Sequence, residues 1–220
     1  MTTTLTRRPF GNMNNLEIVE AGPHHRAVLR HLFELYAHDF SPMTQSDVNE
    51  RGMFTEDDFL LGWWDRYGDT FHPFLLRADG RFAGFAWVEE GSYIRPKRDH
   101  HWLMGEFFIL RKYRGKGIGE WFATQLFARF PGTWEVGEIP ENKDAQAFWR
   151  KVIGRYTGGR FEEIVVDNER WEGPVQRFES RASRASQSSR SSRSGRSSQT
   201  RRPDDLTTKK EKHVSSLRSI

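Results

Sequence analysis

Three glycines, at positions 115, 117 and 119, separate the apolar run Glu106-Phe107-Phe108-Ile109-Leu110 from a helical pattern over Ile118 to Arg129. A strand that ends in alternate glycines and restarts as a helix leaves few options, because glycine lets backbone N–H groups approach a ligand with no Cβ in the way. At the start of a helix those groups lack partners and carry a partial positive charge. The turn is therefore an anion cradle suited to a pyrophosphate, and Arg114 and Lys116 add full charges beside it. It lacks the Gly-Lys-Ser/Thr ending of a P-loop and the G-x-G-x-x-G spacing of a dinucleotide-binding turn, and the strand before it follows an antiparallel hairpin. Both of those nucleotide-binding folds are set aside.

Around this turn the rest of the body can be ordered. Leu16-Glu17-Ile18-Val19-Glu20 alternates as a strand does, and Gly22-Pro23 then opens a helix in which Val28, Leu29, Leu32, Phe33 and Tyr36 share a core-facing side. Phe59, Leu60, Trp63 and Trp64 give an apolar side to a second helix over Glu56 to Arg66. Two strand-like runs, Phe71 to Arg77 and Phe82 to Glu89, flank Asp79-Gly80, the strongest short signal for a hairpin. After the glycine turn and its helix, Pro131-Gly132 precedes a strand over Trp134 to Ile139 and a helix over Lys143 to Ile153. Strands over Phe161 to Val166 and Gly173 to Phe178 close the body. The order β-α-α-β-β-β-α-β-α-β-β predicts an α/β fold with a mixed sheet, antiparallel through its first hairpin, continued by two β-α units and covered by helices on both faces.

A chain of 220 residues is long enough for one well-buried domain with extensions. The domain is expected over 15–179, after a flexible start at 1–14 and before a disordered segment at 180–220. With no cysteine, disulfides, thiolate nucleophiles and Cys-ligated metals are excluded. From Ser180 to Ile220 there are 11 Lys and Arg against 3 Asp and Glu, whereas residues 1–179 carry 23 against 27. The basic balance thus belongs to the tail alone. That Ser/Arg-rich tail has no aromatic residue and cannot bury enough apolar surface to offset its ordering entropy. Its arginines either bind nucleic-acid phosphates weakly, with phosphorylation as the switch, or form a solvated extension with no partner. No run of about 18 apolar residues occurs, and Arg7 and Arg8 precede no apolar segment, so a cytoplasmic protein with no membrane association is expected.

The stretch Arg114-x-x-Gly117-x-Gly119, between a strand and an amphipathic helix, resembles the coenzyme A pyrophosphate motif of the GNAT N-acetyltransferases. The run Asn142-x-x-Ala145-x-x-Phe148-Trp149 on the next helix matches a second feature of that family. The resemblance covers Leu16 to Glu179 in element order, with its specific motifs in 106–153. More narrowly, Glu-Phe-Phe-Ile-Leu-Arg-Lys-Tyr-Arg joined to Trp-Glu-Val and to Phe-Trp-Arg-Lys-Val-Ile is similar to an acetyltransferase branch with no known substrate. The resemblance implies a GNAT-type acyl-CoA N-acyltransferase fold, acetyl-CoA as cosubstrate, no metal, and an amine acceptor that is a small molecule or a peptide. Backbone groups of Ile109 and Leu110 would bond the pantetheine amides. Arg114, Gly115, Lys116, Gly117, Ile118 and Gly119 would hold the pyrophosphate. Asn142 would flank the thioester end, a role that stands beside its plain reading as a helix N-cap.

The family's mechanism is direct transfer in a ternary complex, which needs a base for the ammonium, donors for the oxyanion and an acid for the departing thiolate. Glu106 is the first choice of base, because a carboxylate inside an apolar run is expected to be partly desolvated and raised in pKa. Glu89 and Glu90 come next. Where many members carry a Tyr this chain has Trp149, whose indole cannot act as an acid. Trp149 also shares a stripe with Ala145, Phe148 and Val152 that reads as core. Tyr156 is the expected substitute, with Tyr113 behind it, unless the thiolate leaves unaided. Asp99-His100-His101 is not read as a metal site, since adjacent residues of an extended segment point to opposite sides. Gly91 to His101, with Tyr93, Arg95 and Trp102 near it, is expected to line the acceptor pocket. The rival reading is a non-catalytic acyl-CoA-binding or scaffold protein whose tail recruits nucleic acid.

Overall fold

A computed structural model describes residues 15–56, 60, 68–95 and 100–181. Seven strands form one sheet: β1 (Leu16–Glu20), β2 (Phe71–Ala78), β3 (Arg81–Glu90), β4 (His101–Ile109), β5 (Gly132–Gly137), β6 (Phe161–Asp167) and β7 (Glu172–Ser180). Their order across the sheet is β1-β2-β3-β4-β5-β7-β6. The β4–β5 pair is parallel and every other neighbouring pair is antiparallel. The helices among the described residues are α1 (Arg26–Thr44), α2 (Ile118–Arg129) and α3 (Lys143–Thr157), with single 3-10 turns at Pro23–His25, Gly68–Thr70 and Arg111–Tyr113.

The mixed α/β fold predicted from the sequence is the one that forms. Asp79 and Gly80 turn β2 into β3 with φ of 48° and 76°, the pair of positive angles that a tight hairpin needs. Some boundaries differ. β4 begins at His101, ahead of Glu106, and β5 ends at Gly137, short of Ile139. α3 continues past Ile153 and Gly154 to Thr157, where Gly158 ends it in a left-handed conformation at φ 65°. The helix expected over 56–66 lies, apart from Glu56 and Leu60, outside the described residues, as do the first 14 residues and the tail beyond Arg181.

Successive strand residues point to opposite faces, and both faces are apolar. On one, Ile118, Phe122, Leu126 and Phe127 of α2 and Trp149, Val152 and Ile153 of α3 pack on Leu76, Ala86, Val88, Trp134 and Val136. On the other, Leu29, Leu32, Phe33 and Tyr36 of α1 pack on Leu75, Phe85, Trp87 and Phe108. A smaller cluster holds Tyr93, Leu103, Val166, Trp171 and Val175.

Gly105 breaks the alternation at a place that matters. Trp87 pairs with Glu106 while Val88 pairs with Met104, so Gly105 is the extra residue of a β-bulge. Before it Trp102 and Met104 face α2 and α3, and after it Phe107 and Ile109 do. The one added residue turns Glu106 and Phe108 to the side of α1.

Candidate active site

The parallel pairing of β4 with β5 joins residues 101–103 to 133–135 and then stops, although both strands continue. A cavity of about 780 Å³ opens between residues 105–109 on one arm and 136–139 on the other. α1 lines it with Tyr36, Asp39, Phe40 and Met43, and the first turns of α3 with Asn142, Ala145, Phe148 and Trp149. Leu110 donates its N–H to the Ala83 carbonyl at 2.9 Å. The two ends of one peptide point opposite ways, so the Ile109 carbonyl turns into the splay, where Arg114 Nε donates to it at 2.6 Å. By the same alternation the backbone groups of Phe107 face the splay as well. The strand edge turned toward the cavity is therefore Phe107 and Ile109, whereas the N–H of Leu110, expected with Ile109, is spent on the Ala83 carbonyl.

The glycine turn lies at one end of this cavity. Gly117 is the N-cap of α2 with φ 78°, a conformation that glycine adopts without strain, and the N–H groups of the following turn have no helical acceptors. Gly115, Gly117 and Gly119 line the cavity. A Cβ on Gly119 would meet the Phe148 ring at 3.3 Å, so this glycine also lets α2 and α3 approach each other. The Lys116 side chain is exposed and Ile118 is buried in the core. Neither lines the cavity: Ile118 can offer an anion only its backbone, while the Lys116 ammonium stands in solvent beside the turn. Asn142 is an N-cap, its Oδ1 accepting from Ala145 N at 3.1 Å, and it also lines the cavity.

Arg114 lines the cavity too, and there its charge is paired. It donates to Asp39 Oδ2 at 2.5 Å, and Arg111 reaches Asp39 Oδ1 at 2.7 Å. Burial works to raise the Asp39 carboxyl, but the bonds from Arg111 and Arg114 outweigh it and hold it below its ordinary range. Asp39 sits at the cavity mouth as a fixed negative charge beside an anion cradle. Asp39→Asn is therefore expected to tighten binding of a phosphate-bearing ligand severalfold at low salt, on the scale of about 1 kcal/mol for a partly exposed pair. The gain should fade at high salt. Titration calorimetry with coenzyme A at both salt levels checks it, and equal affinities of wild type and variant at low salt would refute it.

Glu106 is 2 % exposed, lines the cavity, and accepts a hydrogen bond from the Tyr36 hydroxyl at 2.5 Å. Burial, and after it the Glu106 charge, push Tyr36 well above its ordinary range, so that hydroxyl keeps its proton and stays a donor. The sequence pattern showed Tyr36 as a core residue, and it is one, with its polar end in the site. Tyr156 is a different case. Its hydroxyl bonds Ser180 Oγ at 2.7 Å and its ring packs on Phe127 and Phe178, away from the cavity lining. Tyr156, expected as the acid, is thus placed outside the cavity lining, and so is Tyr113, which is buried. Trp149 is buried against Phe107 and Phe148, with ring centroids 4.9 Å from each, and one side of it lines the cavity.

Glu138, which the sequence reading passed over, also lines the cavity and is 4 % exposed. The same argument that singled out Glu106 would have found it, a carboxylate next to an apolar strand. In the segment expected to hold the acceptor, Trp102 is core, with its indole N–H donating to the Pro131 carbonyl at 3.1 Å, and Tyr93 packs on Trp171. Neither lines the cavity, and residues 96–99 lie outside the described residues. Among the described residues no group of three or more His, Cys, Asp or Glu side chains could hold a metal. No helix among them is long and apolar enough to cross a membrane.

The fold has counterparts among known proteins. The profile of the Acetyltransferase (GNAT) family matches residues 29–154, more than half of the chain. No curated protein matches. Among solved structures, an acetyltransferase from Thermus thermophilus superposes with a TM-score of 0.55 at 13% identity, over 74% of this chain and 96% of the other. The yncA protein of Salmonella typhimurium, determined with its cofactor acetyl-CoA, gives 0.50 at 15% identity, over 74% of this chain and 93% of the other. The PaiA N-acetyltransferase of Thermoplasma acidophilum, in complex with coenzyme A, gives 0.50 at 12% identity, over 75% and 99%. At such identities the structures speak for the fold, and the profile speaks for the family: this chain belongs to the GNAT family of acetyltransferases.

Proposed function

We propose that this protein transfers an acetyl group from acetyl-CoA directly to a primary amine, with Glu106 as the base. The observation that carries the reading is the placement of Glu106. A buried carboxylate is turned by the Gly105 bulge toward α1, beside a hydroxyl donor, at the point where β4 and β5 part. The residues present fit the cosubstrate. The unpaired N–H groups at the start of α2 suit its pyrophosphate, and the edge at Phe107, with the Ile109 N–H beside it, suits its amides, the Ile109 carbonyl being taken by Arg114 Nε. Acetyl-CoA supplies the activated acetyl group. The chain's own part is to exclude water with Phe40, Met43, Phe108 and Trp149, to take the ammonium proton onto Glu106, and to hold Tyr36 as a neutral donor nearby. Asn142 stands at the mouth of α3 where it flanks the cavity.

No tyrosine lies where the family's acid is usual, which favours two alternatives: departure of the thiolate unaided, or the rival reading of an acyl-CoA binder that does not turn over. A thermal-shift series with coenzyme A, acetyl-CoA, dephospho-CoA, pantetheine, ATP and NAD tests the binding reading, since a ligand of the native state raises stability by RT ln(1 + [L]/Kd). Coenzyme A, acetyl-CoA and dephospho-CoA should stabilise, and pantetheine much less. Equal stabilisation by pantetheine and coenzyme A would overturn the pyrophosphate assignment. Thiol release over a broad panel of amines separates the enzyme from the binder.

A further inference from the structure

Glu138, Gln176, Glu163 and Arg150 lie on the face of the sheet that α3 covers, at the base of the cavity's β5 arm. Gln176 of β7 pairs across the sheet with Val136 of β5 on one side and Glu163 of β6 on the other, and the N–H of Glu138 donates to the Pro174 carbonyl of β7 at 3.1 Å. Arg150 of α3 holds Glu163 in a bidentate pair, 2.7 Å on each arm, and Gln176 Nε2 donates to Glu163 Oε2 at 3.0 Å. Glu163 is thus the charged member, held below its ordinary range first by its Arg150 bond. Gln176 is wholly buried, and its Oε1 has no donor among the described residues. Neither carboxyl oxygen of Glu138 has a partner among them.

These orphaned atoms complement one another. An amide between two carboxyls that gives its nitrogen to one presents its oxygen to the other, and two acceptors cannot bond unless one of them carries a proton. We propose that Glu138 is a positioning residue that holds a proton and donates it to Gln176 Oε1, so that Glu138, Gln176, Glu163 and Arg150 form one hydrogen-bonded chain from the β5 arm to α3. Burial agrees with a proton on Glu138, whereas donation from the Gln176 amide to a charged carboxylate would pull the other way. Burial pushes the Glu138 carboxyl up to about 8, with Glu163 adding to the shift and Gln176 and Arg150 opposing it. The charged or titratable groups that interact with Glu138 are Glu163 from β6, Arg150 from α3 and Tyr93, which burial keeps neutral, and β7 presents the neutral Gln176. The chain matters for the site because Gly137 and Ile139 flank Glu138, Trp149 and Lys151 flank Arg150, and all four line the cavity. Charging Glu138 breaks the link between the two walls.

The test is the pH dependence of stability in wild type and in Glu138→Gln, whose amide keeps a donor at every pH. A carboxyl raised from 4.5 to about 8 on folding contributes fully below the lower value, and that contribution is lost as pH rises through the upper one. Between those limits the wild-type folding constant should fall relative to the variant by up to about tenfold per pH unit, and above them the gap should stay flat. Infrared difference spectra near neutral pH should show a protonated-carboxyl band in wild type that the variant lacks. Parallel stability curves, or no such band, would overturn the proton. The role in the site rests on the acetyl-CoA reading and has its own measurement: the Kd should weaken as pH rises through about 8 in wild type and not in Glu138→Gln. A proton found by the first two measurements with an identical Kd profile in both proteins would overturn the positioning role alone. Failure of acetyl-CoA to bind at all would leave the first two readouts standing.

Discussion

Glu106→Gln should lower kcat by roughly 10²–10⁴-fold, the range for loss of a positioned base, while leaving acetyl-CoA affinity almost unchanged. The variant amide can still accept from the Tyr36 hydroxyl, which lies 2.5 Å from the carboxylate in the wild type, so the cavity wall should hold its shape. The loss should also depend on pH in a definite direction. An alkyl ammonium with a pKa near 10.4 is almost wholly protonated at neutral pH. Without a base only the free amine reacts, and its fraction grows about tenfold per pH unit until that pKa is reached. The gap between wild type and variant should therefore be widest at low pH and close as pH rises. Thiol release followed across pH gives the two profiles. If they run parallel, Glu106 does not take the proton.

Phe127→Ala should be the most damaging single truncation for stability. Phe127 is fully buried where α2, α3 and the sheet meet, with ring centroids 4.9 Å from Trp134, 4.8 Å from Phe178 and 5.3 Å from Tyr156. Its carbonyl also accepts from Ser180 Oγ at 2.5 Å, which ties α2 to the end of β7. Removing a phenyl ring from such a site costs about 3–5 kcal/mol, because the transfer term and the cavity left behind add. In a domain of this size that lowers Tm by roughly 6–20 °C. A scan by circular dichroism measures it, and a shift of only a degree or two would mean that the surrounding aromatics close the gap.

What could be read from the chain alone was whatever depends on neighbours in sequence. The limits of α2, the Asp79-Gly80 hairpin and the glycine turn all follow from local rules, and each formed where expected. α3 runs past Ile153 through Gly154 to Thr157, because the left-handed end falls at Gly158. The lower half of β4 was missed because a glycine interrupts its alternation, and only the register with β3 shows that glycine to be a bulge. The site was harder for the same reason in three dimensions. Tyr36 and Glu106 meet across 70 positions of sequence, and Asp39 and Arg114 across 75, so no spacing rule could pair them. Tyr156 lies within α3, seven residues and about 10 Å along the helix from Trp149, so proximity in sequence does not bring it to the cavity.

The order of the strands carries a consequence for how this protein is made. β1 to β4 each pair with the next strand in sequence, so that half of the sheet can assemble as it leaves the ribosome. One of its faces is covered by α1, which has already been synthesised, but the other waits for residues of α2 and α3. Until then Phe74, Leu76, Ala86, Val88 and Met104 face water, and the edge of β4 that β5 will partly occupy stands open. A nascent chain at that length presents an apolar surface beside an unpaired strand, the combination that draws copies of a chain together. The glycine turn is thus also the bridge that synthesis must cross before the sheet is safe in solution, whatever it later binds.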